Sequence, residues 1–130
     1  MTLGAPASPG HGKPGVPAID RSVLGEWLAG DDAAINALLA VFRDSICADL
    51  VRLRDLLAPG HLDEYANTAH RLRGAALSMG ARPLAEFAGL LITAARAENA
   101  DACVDGMPAL ETHVRLMVAE VPTDAPPNAG

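Results

Sequence analysis

Residues 33–60 read AAINALLAVFRDSICADLVRLRDLLAPG, and this stretch decides the fold class. Ile35, Leu38, Leu39, Phe42, Ile46, Leu50, Leu53 and Leu57 recur at spacings of three and four, so they line one side of a helix of about seven turns. The Asp31-Asp32 pair before it supplies carboxylates to cap the start, and Pro59-Gly60 ends it. An amphipathic helix of this length buries its stripe against other helices.

The pattern repeats on both sides. Upstream, a short helix is expected with Asp20 as its cap, Val23, Leu24, Trp27 and Leu28 as its apolar side, and Gly30 as its stop. Downstream, Leu62, Tyr65, Ala69, Leu72, Ala76 and Met79 predict a helix from about Leu62 to Ser78, closed by Gly80. A fourth restarts near Pro83 with Leu84, Phe87, Leu91 and Ala94 on one side. A fifth carries Met107, Leu110, Val114, Met117 and Val121, with Pro108 tolerable only within its first turn. No period-two strand pattern competes. The expected fold is all-α, an antiparallel four-helix bundle with a short extra N-terminal helix.

Composition agrees. Half the 130 residues are hydrophobic but only 3% are aromatic, which suits helices packed through Leu, Val, Ile, Met and Ala. Residues 1–17 hold four prolines and four glycines and almost no large apolar side chain, so they are expected to form a flexible arm. The bundle is expected over 18–121 and a second flexible tail over 122–130. Ten Lys plus Arg against 16 Asp plus Glu give a charge of −6, which argues against a nucleic-acid binder. No apolar run approaches the roughly 18 residues of a membrane span. The opening MTLGAPASPGHGKPG has neither the basic nor the apolar region of a secretion signal, so a cytoplasmic location is expected, with Cys47 and Cys103 as reduced thiols.

The third helix carries the chemistry. Stepping about 100° per residue, His70 falls about 130° from the centre of the apolar stripe and points outward. Asp63, Ala66, Asn67, Gly74 and Leu77 share that face, which is poor in the Glu, Lys and Arg that usually solvate a helix. Gly74, one turn after His70, costs a helix interior about 1 kcal/mol relative to alanine. Its missing Cβ would let another molecule's backbone approach the imidazole. Arg73, three residues after His70, can present a permanently charged fork to an anion held on the ring. Arg71 faces away from both core and His70 and reads as a rim contact or a solvated residue. His61 reads as a loop or cap residue and His113 as a satisfied edge residue, while His11 falls in the arm.

Ala69-His70-Arg71-Leu72-Arg73-Gly74-Ala75-Ala76-Leu77-Ser78-Met79-Gly80 resembles the motif of histidine-containing phosphotransfer (HPt) domains, Ala-His-x-Leu-Lys-Gly-x-x-x-x-apolar-Gly. The likeness extends over about residues 20 to 120. Arg73 departs from the family's usual Lys but keeps the charge, and Leu77 stands where many members have a smaller residue. The resemblance implies that His70 accepts a phosphoryl group from a receiver-domain aspartate and passes it to another, in a multistep phosphorelay. It implies Arg73 as the neutralising cation, Gly74 as the access point, and Ala66, Asn67, Arg71 and Leu77 as partner contacts. The partners implied are receiver domains of response regulators, a hybrid histidine kinase, or both. No nucleotide, metal or other cofactor would belong to the chain itself, with magnesium on the receiver. The spacing alone shows only an exposed, cationically assisted histidine. An alternative is a helical adaptor that docks a partner through the His70 face without chemistry. A histidine-kinase dimerisation segment fits less well, because Ala75 stands where that motif has proline and the 130 residues hold no glycine-rich ATP-binding region. A monomer is expected, since the bundle stripes satisfy one another and Leu77 with Ala66 leaves only a small patch.

Overall fold

The computed structural model describes residues 17–58 and 60–123. Five helices follow in order: α1 (Ser22–Trp27), α2 (Asp32–Asp55), α3 (Leu62–Met79), α4 (Arg82–Arg96) and α5 (Ala100–Glu120). Helices α2 to α5 form the antiparallel bundle, with α1 as the short addition. Among the described residues there is no strand, and no helix is long and apolar enough to cross a membrane. The expected arm lies outside the described residues apart from Pro17. The expected tail does too, apart from Pro122 and Thr123, and so does Pro59 of the α2 stop.

Local chemistry sets the ends. Asp31 Oδ1 accepts the Ala34 N–H at 3.1 Å and Asn99 Oδ1 accepts the Ala102 N–H at 3.1 Å, capping α2 and α5. Asp20 sits one residue before the N-cap position of α1, yet its Oδ1 accepts both the Ser22 N–H (3.0 Å) and the Ser22 hydroxyl (2.6 Å). These bonds, with the hydroxyl bond the largest influence, hold the Asp20 carboxyl below its ordinary pKa. Gly80 ends α3 in the left-handed region at φ 86°. There the segment before α1 comes so close that the Asp20 N–H donates to Gly80 O at 2.8 Å, and a Cβ on residue 80 would fall onto the Asp20 carbonyl oxygen.

The core runs between all the helices: Leu39, Ile46 and Leu53 of α2, Tyr65, Leu72 and Met79 of α3, Leu84 of α4, and Leu110 and Met117 of α5 are almost fully buried. Helix α3 lies between α2 and α4, α4 packs on α5, and α5 closes back onto α2. Small residues on α4, notably Ala85, Ala88 and Ala95, are buried and permit this close packing. At the same end of the bundle as Gly80, the Glu120 carboxylate accepts the N–H groups of Ala18 (2.7 Å) and Ile19 (2.8 Å), tying the segment before α1 to the last turn of α5.

Two sequence expectations change. Helix α5 begins at Ala100, so Pro108 lies in its interior and not in its first turn. The Asn99 cap and the fully buried Cys103 hold the extra turns in place. The N–H that proline lacks would have bonded to the carbonyl of Val104, a residue 48% exposed, where water can satisfy it. In α1, Leu24 alone is buried; Leu28 is half-buried, while Val23 and Trp27 turn outward, Trp27 being 78% exposed.

Candidate functional site

Because α3 is flanked by α2 and α4, it presents one narrow free ridge. His70, Gly74 and Leu77 lie on that ridge, with Asp63 and Asn67 toward its N-terminal end, and all five are exposed. No hydrogen bond or ion pair engages His70 among the described residues. A Cβ built on Gly74 meets no atom within 4 Å, so the space over this turn is open. Ala66 departs from expectation. It is only 3% exposed, because α3 has neighbours on both sides and its buried arc is wider than the apolar stripe alone suggests. It therefore offers a partner almost no surface to touch.

The two arginines beside His70 part company. Arg73 is half-buried and leans toward α4: the place a Cβ would take on Gly89 is 3.6 Å from Arg73 Nε and 3.9 Å from Cδ. Its stem is thus laid against α4 while it stays one turn from His70, at the i,i+3 spacing where helix side chains are neighbours. Arg71 turns to the other side. Its Nη2 donates to Asp49 Oδ1 at 2.7 Å and its Nε lies 3.2 and 3.3 Å from Oδ1 and Oδ2. The Asp49 side chain is 7% exposed and that of Arg71 60%. Hydrogen bonding to Asp49, reinforced by its charge, raises the Arg71 pKa further. Arg71 is therefore a held residue and not merely a solvated one.

Asp49 is the residue that sequence reasoning passed over. Its signal was present: it falls between Ile46, Leu50 and Leu53 on the apolar side of α2, where a carboxylate requires a partner. A second omission is an apolar groove of about 280 Å³ beside the ridge, lined by Val23, Leu24 and Trp27 of α1, Phe42 of α2 and Ser78 of α3. Leu77, 45% exposed, adjoins it through a smaller hollow shared with Val23, Gly80 and Arg82. His61 and His113 behave as expected, and His11 lies outside the described residues. His61 Nδ1 lies 3.1 Å from Glu64 Oε1 at the start of α3, and half-buried His113 packs its ring on Phe87 with centroids 5.4 Å apart.

An exposed imidazole with an adjacent cation and a cleared approach is suited to carry an anion transiently. A family model described as the Hpt domain matches residues 37–123. The chain belongs to the Hpt family. Hpt domains are phosphoryl carriers in two-component phosphorelay signalling and have no ATP site of their own. No curated protein and no solved structure matches the chain. The Hpt match takes in α3 whole but begins inside α2, so α1 and its wall of the groove lie outside it.

Proposed function

We propose that the chain shuttles a phosphoryl group between receiver-domain aspartates, with His70 as the acceptor. The observation that carries this reading is the outward His70 with open space over Gly74 and Arg73 at its side. The lone pair of one ring nitrogen forms the P–N bond as the P–O bond to the donor aspartate breaks, and the aspartate leaves as a carboxylate with the electron pair. The proton on the other ring nitrogen offsets part of the phosphoryl charge, and Arg73 offsets more. In onward transfer the acceptor aspartate forms the new P–O bond and the imidazole leaves.

Phosphoryl transfer depends on positioning and charge neutralisation, so the receiver's acidic pocket and magnesium supply most of the catalysis and this chain adds no metal or nucleotide. Gly74 admits the receiver's backbone to the ring. Asn67, Arg71 and Leu77 form the rim of the contact, and the groove walled by α1 extends it. The partners are receiver domains of response regulators, of a hybrid kinase, or both, met by a monomer in the cytoplasm.

The test is a phosphotransfer profile of the purified chain against the receiver domains of its source organism. Acid-labile, base-stable label is expected on the wild type and none on His70→Gln, with helicity and melting temperature nearly unchanged. Label retained by His70→Gln, or lost from a folded His113→Gln, removes the assignment. No transfer with any receiver would favour an adaptor that docks without chemistry.

A further inference from the structure

His70 is followed directly by an arginine whose charge is already spoken for. Residues 42 and 78 line one groove and residues 49 and 71 share one ion pair, which fixes the antiparallel register of α2 against α3. In that register Asp49 meets Arg71 from below, at a position that an apolar residue would fill at no cost in desolvation. A buried carboxylate is thus a poor choice for packing alone, and its evident effect is on where Arg71 lies. Its fork of contacts draws the guanidinium to the α2 side of the ridge. Arg73, on the α4 side, has no ion pair among the described residues.

Resting on the phosphotransfer reading above, we infer that Asp49 is a positioning residue that withholds Arg71 from the phosphoryl group on His70, so that Arg73 alone neutralises it. Consecutive Cα atoms are about 3.8 Å apart, and an arginine stem is long and flexible. Released from Asp49, the Arg71 guanidinium reaches a phosphoryl group on the neighbouring ring even though i,i+1 side chains do not start out facing one another. That group carries between about one and two negative charges and is a strong bidentate acceptor for arginine. Two guanidinium groups would hold it more firmly than one. The histidine would then become a store for phosphate and a poor carrier. Asp49 sets the group's transfer potential by occupying the second cation.

The experiment labels the full chain from a receiver or with phosphoramidate, then measures the phosphohistidine half-life and the equilibrium partition of label between His70 and a receiver aspartate. Wild-type labelling is established first; its absence defeats the phosphotransfer reading itself and is thereby told apart from failure of this inference. Asp49→Asn is expected to lengthen the half-life and shift the partition toward His70 by roughly three- to tenfold, the scale of one added charge-assisted contact. Adding Arg71→Gln to Asp49→Asn should return the half-life of the isolated phosphohistidine to the wild-type value, because the freed cation is gone and this reading is taken with no receiver present. Unchanged values in Asp49→Asn, or a lengthened half-life that persists in the double variant, overturn the inference. Nitrogen-15 NMR of the wild-type chain provides the second measurement if Asp49→Asn does not fold. On phosphorylation the Arg73 Nε–H resonance should move while that of Arg71 stays in place, and movement of Arg71 onto the phosphoryl group overturns the proposal.

Discussion

Arg73 of α3 lies across Gly89 of α4, with its Nε 3.6 Å from the point where a Cβ would stand. A methyl group there would make ordinary van der Waals contact and leave the guanidinium where it is. A longer side chain would displace it. Gly89→Ala is therefore expected to raise the melting temperature, by up to about 1 kcal/mol in stability, with transfer unchanged. Gly89→Leu should remain helical but transfer as slowly as Arg73→Ala. Equal transfer rates for Gly89→Leu and the wild type would show that the lie of Arg73 does not matter.

Gly74 separates folding from function in the same way. With open space around its missing Cβ, Gly74→Ala should stabilise the free chain by up to about 1 kcal/mol in thermal or urea melts. The added methyl group projects into the approach to His70, so receiver binding should weaken and transfer should slow. A variant both more stable and fully active would remove the steric reason for this glycine.

Breaking the Arg71–Asp49 pair from one side leaves a carboxylate that is 7% exposed without its counterion. Arg71→Ala should cost about 1–3 kcal/mol in urea unfolding, less than the 3–5 or so of a fully buried pair, since the arginine end is in contact with water. Adding Asp49→Leu should recover most of the loss. A double variant no more stable than Arg71→Ala would contradict this.

Position 80 in the α3–α4 turn admits no side chain. Gly80→Ala combines a φ of 86° with a methyl group driven onto the Asp20 carbonyl, and a loss of at least about 2 kcal/mol is expected. The chain has one tryptophan, Trp27 of α1, so its fluorescence should report α1 loosening at urea concentrations that leave the far-ultraviolet helix signal intact.

Acid should act on the same segment. The Asp20 pKa is lowered in the fold, chiefly by the Ser22 hydroxyl bond, so its contribution is complete above the ordinary aspartate value and fades as pH falls through the lowered one. A component of the Trp27 transition below about pH 4 should therefore disappear in Asp20→Asn, whose amide oxygen still accepts from Ser22.

Much of this was legible because periodicity reports burial directly: the stripes of α2 and α3 predict their partners, and the outward setting of His70 and Gly74 follows from counting turns. What escaped depends on neighbours. The burial of Ala66 follows from α4 lying alongside α3, which no stripe on α3 records. Pro108 inside α5 is tolerated because Val104 is exposed, a property of the assembled surface. The α1 stripe misled because six residues make too few contacts to bury every apolar side chain, so Trp27 stays outside. Asp49 was readable as an anomaly in an apolar stripe, but its partner lies 22 residues away on another helix.

The Glu120 contacts to Ala18 and Ile19 bring together points 102 and 101 residues apart along the chain. Such a domain is almost a closed ring. A short linker from residue 121 to residue 18 would span ends that are already adjacent, at little loop-closure entropy, and the ring could be reopened at the turn around Glu98 between α4 and α5. The same adjacency lets the bundle be spliced into a surface loop of a host protein, entering and leaving at one spot and carrying His70 on a helix that contains neither junction.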